Sequence, residues 1–286
     1  RLLRAPFRAI LRVITTVLAL AVVQTAVLSQ FEHPIREIVE MGGLAVILVG
    51  AVFASSRLVD RRPIPEFGLS LDREWWRSFA VGGLIATVVA VAVALGAGWV
   101  TVAGFTQGSG DLSFLPAMVV VFAYIATAAT WEEFVFRGAM LKNVAEGATG
   151  YVREKVAVGL ALALNCVVFA FLHGGKVAHP SQYGYYLLAG LVLGGVYVVT
   201  GELALSIGFH IFYNYTQSAV FGLGVSQKTP ELLVLTLSGS AQYVGEEGFV
   251  HVGAAAIGGA LLLGYVYWRD GELCLDERVT RWTPTV

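Results

Sequence analysis

Between Ser78 and Val100 the chain reads SFAVGGLIATVVAVAVALGAGWV, twenty-three residues without a charged side chain. As a helix, a run of this length spans about 34 Å at 1.5 Å per residue. That is enough to cross the roughly 30 Å hydrocarbon core of a bilayer. Inside hydrocarbon every backbone N–H and C=O must be paired within the segment, and a helix does that without a partner.

Seven other runs share this character, so the segments near 9–29, 38–56, 78–100, 114–136, 156–173, 183–200, 203–224 and 249–268 predict eight spans. Only 14% of the chain is charged and 57% is hydrophobic, whereas a soluble domain carries about 25% charged residues. The expectation is an all-α, polytopic membrane bundle of about eight helices, forming one integral-membrane domain over residues 1–286. The first run follows several arginines and could be read as a secretory signal. No small-residue cleavage site sets it apart, so it is read as a span.

With eight spans and a cytoplasmic N-terminus, every lysine and arginine except Arg36, Lys176 and Lys228 falls on the cytoplasmic side. That is the positive-inside pattern, and it predicts a multi-pass protein of the cell membrane with both termini cytoplasmic. The net charge of −1 offers nothing to nucleic acid, and the partners expected are the bilayer and a membrane protein or lipidated peptide. Cys166, inside a span, and Cys274, in the tail, make neither a disulfide framework nor a cysteine metal site. RRPIPEFGLS (61–70) is expected to be a cytoplasmic linker broken by its prolines, followed by Trp75 and Trp76 as interfacial anchors.

Ionisable groups at membrane depth cost roughly 2.5–3.5 kcal/mol each on insertion scales, so they are rare and usually functional. Glu133 and Arg137 stand four residues apart in EEFVFR, Phe169 and His173 in FAFLH, and His210 and Asn214 in HIFYN. Residues four apart share one helix face. Glu132 is rotated about 100° from Glu133. Such a set suits peptide hydrolysis: Arg137 fixes Glu133, Glu132 takes a proton from water oriented by His173, and His210 with Asn214 donates to the oxyanion.

EEFVFR fits E-E-x-x-x-R, FAFLH fits F-x-x-x-H and HIFYN fits H-x-x-x-N. In that order on late spans, the chain resembles the CAAX-protease and bacteriocin-processing family of intramembrane proteases. That family includes the eukaryotic endopeptidase that removes the last three residues of prenylated CAAX proteins. The resemblance covers Glu132 to Asn214, and the expected catalytic core runs over about 114–224. It implies a helical bundle whose catalytic groups surround a cavity open to cytosol and lipid. It further implies Glu132 and His173 for water activation, and His210 and Asn214 for the oxyanion. Members have been described both as metal-dependent and as glutamate-dependent without metal.

Each motif alone has a plainer reading. The Glu132, Glu133 and Arg137 group could close a span at the interface, His173 could be interfacial, and His210 and Asn214 could glue helices together. Jointly these demand a coincidence of type, spacing and order. Two other function classes remain, a non-catalytic membrane scaffold and a proton- or ion-coupled transporter, although no pseudo-repeated halves are visible. No cofactor is expected. Zinc is the alternative, with Glu132, His173 and His210 as its ligands. His33, His179 and His251, near span ends and without partners, are read as interfacial, Glu246 and Glu247 as solvated loop charges, and Gly190 and Gly194 as packing glycines. One conflict stands: Glu132 lies near the cytoplasmic end of its span and His173 near the outer end of the next. It eases if the fourth helix continues through GAMLKNVAEG.

Overall fold

The computed structural model describes residues 5–22, 25–26, 30–31, 35–95, 100–104, 112–177, 179–223 and 230–281. Helix α1 is Ala5–Val22, α2 Ile35–Ala54 and α3 Arg73–Leu95. Helix α4, Phe114–Glu133, passes without a break through a π-helical stretch, Phe134–Leu141, into α5, Lys142–Ala148. Then come α6 Glu154–Leu172, α7 Tyr183–Thr200, α8 Ala204–Tyr215, α9 Ala241–Val244 and α10 Phe249–Asp270. One small addition to the helical expectation is a two-stranded antiparallel ribbon, β1 Val100–Gly104 against β2 Val234–Leu237, with Thr101 opposite Thr236.

Among the described residues six helices are long and apolar enough to cross a membrane: Val39–Val59, Arg73–Leu95, Phe114–Ala148, Glu154–Leu172, Pro180–Thr200 and Gln242–Asp270. They coincide with six of the eight expected spans. The expected span 9–29 falls on α1 and on residues partly outside the described ones. The expected span 203–224 is shorter than read: α8 and its π-helical extension, Thr216–Val220, end there, and residues 224–229 lie outside the description.

The outward faces are apolar. Leu160, Leu164, Val167 and Phe171 stand exposed along one side of α6, while Asn165 and Cys166 face inward. Such stripes suit lipid and would be costly in water. Helix α8 has no such face, being buried over most of its circumference, from Ala204 to Phe209 and again at Ile211 and Tyr213. It is the central helix, and it meets α3 at backbone contact. A Cβ on Gly208 would lie 2.1 Å from the Phe79 carbonyl oxygen, and one on Gly82 would lie 2.4 Å from that of Leu205. The expected packing glycines Gly190 and Gly194 lie at the α6–α7 crossing, where added Cβ atoms would meet Cys166 and Leu162.

The segment expected as a linker is part of the core. Residues Ile64–Phe67 form a 3-10 turn closed by Gly68 at φ +87°. Phe67 and Arg62 are wholly buried. The Gly68 carbonyl accepts from Leu203 N and from Trp75 Nε1, both at 2.9 Å. Trp75 is therefore a buried structural residue, and only Trp76 is exposed as an anchor would be.

Candidate active site

Glu132 occurs late in α4, but the helix runs on to Ala148, so Glu132 stands mid-way along a rod of 35 residues. At 1.5 Å per residue the rod is about 52 Å long. This removes the conflict of depth, because the carboxylate is level with the end of α6, where His173 caps the helix. Glu132 Oε2 lies 3.7 Å from His173 Nε2 and 3.8 Å from His210 Nε2. Three helices thus deliver one carboxylate oxygen and two imidazole nitrogens to a single point.

The far sides of both rings are fixed. His173 Nδ1 lies 2.7 Å from the Phe169 carbonyl oxygen. A carbonyl can only accept, so Nδ1 carries the hydrogen and Nε2 faces Glu132 with its lone pair. His210 Nδ1 lies 2.9 Å from Glu133 Oε1. Glu133 is fully buried and its Oε1 is also 3.3 Å from Arg137 Nη1, so this carboxylate is shared between a guanidinium and an imidazole. Arg137, likewise wholly buried, lies over the Phe169 ring at 4.3 Å. Each carboxylate keeps a buried Oε2 without a hydrogen-bond partner, but Glu132 has no guanidinium paired with it and its Oε2 faces the two imidazoles.

These groups open on a cavity of about 140 Å³, lined by Glu132, His173, His210 and Asn214 among others. Asn214, one turn beyond His210 on α8, reaches the same space. All seven residues singled out in the sequence are thereby gathered. Glu132, Phe169, His173, His210 and Asn214 line the cavity, and Glu133 and Arg137 are packed behind it.

Zinc holds nitrogen and oxygen ligands at about 2.0–2.2 Å, which in a tetrahedral site puts two ligating atoms about 3.3–3.6 Å apart. The spacings around Glu132 Oε2 are wider. Among the described residues no three His, Cys, Asp or Glu side chains are arranged to hold an ion.

Several groups near the site went unrecognised in the sequence. Asn165, fully buried, donates from Nδ2 to the Phe136 carbonyl at 2.7 Å, within the π-helical stretch where the regular helical ladder is interrupted. It lies four and eight residues before Phe169 and His173, a spacing that already put it on their face. His251 is not interfacial: it is buried, and its Nδ1 is 3.0 Å from the Tyr213 hydroxyl. Glu247 is not a solvated loop charge either, since it is buried and accepts from the Tyr186 hydroxyl. His179 caps the turn at Pro180 and contacts Ser181 Oγ at 2.7 Å. His33 lies outside the described residues.

Residues 114–216 match the family model for type II CAAX prenyl endopeptidases, Rce1-like. This stretch is similar to the Rce1-like CAAX endopeptidases. The matched residues begin at α4 and end just beyond Asn214, so they contain all three motifs and all seven gathered side chains. No curated protein matches the chain, and no solved structure matches it.

Proposed function

We propose that the protein is an intramembrane endopeptidase that cuts near the C-terminus of membrane-associated substrates of the prenylated CAAX type. The observation that carries this reading is the meeting of Glu132 Oε2, His173 Nε2 and His210 Nε2 at one wall of a cavity that Asn214 also lines. Gaps of 3.7 and 3.8 Å are too long for direct hydrogen bonds and suit a bridging water. Two acceptors, Glu132 Oε2 and His173 Nε2, each take one of its hydrogens, which turns the water's lone pairs toward the substrate. As the water oxygen bonds to the scissile carbonyl carbon, Glu132 takes its proton. The carbonyl π electrons move to oxygen, and that oxyanion accepts from Asn214 Nδ2–H and from His210 Nε2–H. His210 carries both ring protons in this step, with Glu133 holding Nδ1–H. When the C–N bond breaks, Glu132 returns its proton to the leaving amine.

The reaction proposed is metal-independent, so activity should survive equilibration with phenanthroline. Loss on chelation that added zinc restores would overturn this. Both termini are proposed to be cytoplasmic, which a C-terminal reporter active only in the cytoplasm would check. The substrate reading is tested by incubating the purified protein in proteoliposomes with prenylated and unprenylated CAAX peptides and weighing the products. Release of the last three residues, faster from the prenylated peptide, is expected. Cleavage elsewhere would contradict the substrate class, and no cleavage would favour a scaffold or a transporter.

A further inference from the structure

The loop before α10 reads GEEG, with Glu247 between Glu246 and Gly248. Glu247 has φ +63°, the left-handed conformation that disfavours any residue carrying a Cβ and that glycine adopts freely. The chain has glycines on both sides of this glutamate pair and yet places a glutamate at the strained position. Its side chain is only 7% exposed. A buried carboxylate on a strained backbone is an outlier that calls for a function.

Its partner supplies one. Glu247 Oε1 accepts from the Tyr186 hydroxyl, and the Tyr186 ring stacks on His173 with centroids 4.4 Å apart at 27°. Phe169 flanks the same imidazole at 4.4 Å, and its carbonyl holds Nδ1 at 2.7 Å. The loop is tied to the start of α7 by Gln182 Nε2, which donates to the Glu246 carbonyl at 2.8 Å. Stacking alone leaves a ring free to slide. A tyrosine whose hydroxyl is anchored cannot slide, and it passes that restraint to the imidazole.

We infer that Tyr186 and Glu247 are positioning residues that clamp His173 so that Nε2 stays aimed at Glu132. Tyr186 belongs to α7, whereas Glu247 lies outside the family-matched residues 114–216, so the last span completes the site. The inference rests on the protease reading for its kinetic consequence, though not for its structural one.

The test uses Tyr186→Phe, Glu247→Ala, Glu247→Gln and the Tyr186→Phe/Glu247→Ala double variant in the full chain. It reads kcat and KM on a cleaved CAAX peptide, thermal melts in detergent, and the ring ¹⁵N resonances of His173. Tyr186→Phe and Glu247→Ala should each lower kcat by about tenfold or more, since small misplacements of a reacting group are costly. Tyr186 and Glu247 line the same cavity, but the hydroxyl and carboxylate that are removed bond each other, so KM should stay within about twofold. The double variant should be no worse than either single one. Glu247→Gln should recover most of the rate, because its amide oxygen still accepts from Tyr186. His173 resonances should shift in Tyr186→Phe and Glu247→Ala. An unchanged kcat in Tyr186→Phe, additive losses, or a Glu247→Gln as slow as Glu247→Ala would overturn the clamp, as would an unmoved His173 signal. If the wild type cleaves no peptide but His173 still shifts in Tyr186→Phe, the protease reading fails and the clamp stands.

Discussion

Glu132 and Glu133 are adjacent in sequence yet sit in opposite circumstances. Glu133 Oε1 is held between Arg137 and His210, while Glu132 is paired with no guanidinium and its Oε2 faces two imidazoles at 3.7 and 3.8 Å. Glu132→Gln should leave the melting temperature in detergent nearly unchanged and abolish cleavage. Glu133→Gln and Arg137→Ala should lower stability by roughly 3–5 kcal/mol as well as activity, because each strands a buried charge. His210→Ala and Asn214→Ala should each cost about 10²–10³ in kcat, measured on the same peptide, if each removes an oxyanion donor. This part of the site could be read from the sequence because ionisable residues stand out against an apolar background and their spacing of four fixes a helix face. The supporting residues could not. Tyr186 lies in YGYYLL, where aromatic residues at a span end look like anchors, and Glu247 sits in a glycine loop that looks solvated. Asn165 was readable, sharing the face of Phe169 and His173, and was missed.

At the scale of elements, the charge-free runs disclosed most helices, and the continuation of α4 through its polar end set the depth of Glu132. Less legible was how helices meet. Gly82 and Gly208 look like any membrane glycines, yet they let α3 and α8 touch at backbone distance. Gly208→Val should therefore force the helices apart, shift His210 and Asn214, and cost about 1–3 kcal/mol as overpacking does. A melt in detergent beside a turnover assay checks this, and a fully stable, active variant would contradict the crossing. The burial of Phe67 and Arg62 also escaped a reading of the local pattern. Prolines announce a break in helix but say nothing about what packs on the broken segment, and Gly138, whose Cβ would lie 2.7 Å from the Phe67 carbonyl, makes that packing close.

Across the whole molecule, several basic residues that look like simple topology determinants are structural. Glu146 bridges Arg8 of α1 and Arg62 at 2.7 Å, and Asp60 meets Arg8 at 3.0 Å. Glu146→Ala would take the carboxylate from the buried Arg62 and leave Arg8 to Asp60 and Asn143, and it should lower the melting temperature more than any exposed carboxylate change. The tail is fastened in a similar way: Arg278 holds Asp276 and donates to the Thr200 carbonyl at 2.7 Å. Burial alone would push the Asp276 carboxyl up, but hydrogen bonds and charge from Arg278 outweigh it and hold the carboxyl below its usual range. A depressed folded pKa means that this contribution is present above the unfolded value of about 3.9 and is lost as pH falls through the folded one. Acid melts of wild type and Asp276→Asn should draw together as pH falls below about 3.9 and converge only below the folded pKa. The central claim, that Glu132 activates the water of an intramembrane peptidase, is tested most directly by cleavage of a prenylated CAAX peptide by wild type and Glu132→Gln, purified and refolding-checked side by side. The account predicts release of the C-terminal three residues by wild type and none by a variant that melts at the same temperature. Cleavage by Glu132→Gln at the wild-type rate would contradict it.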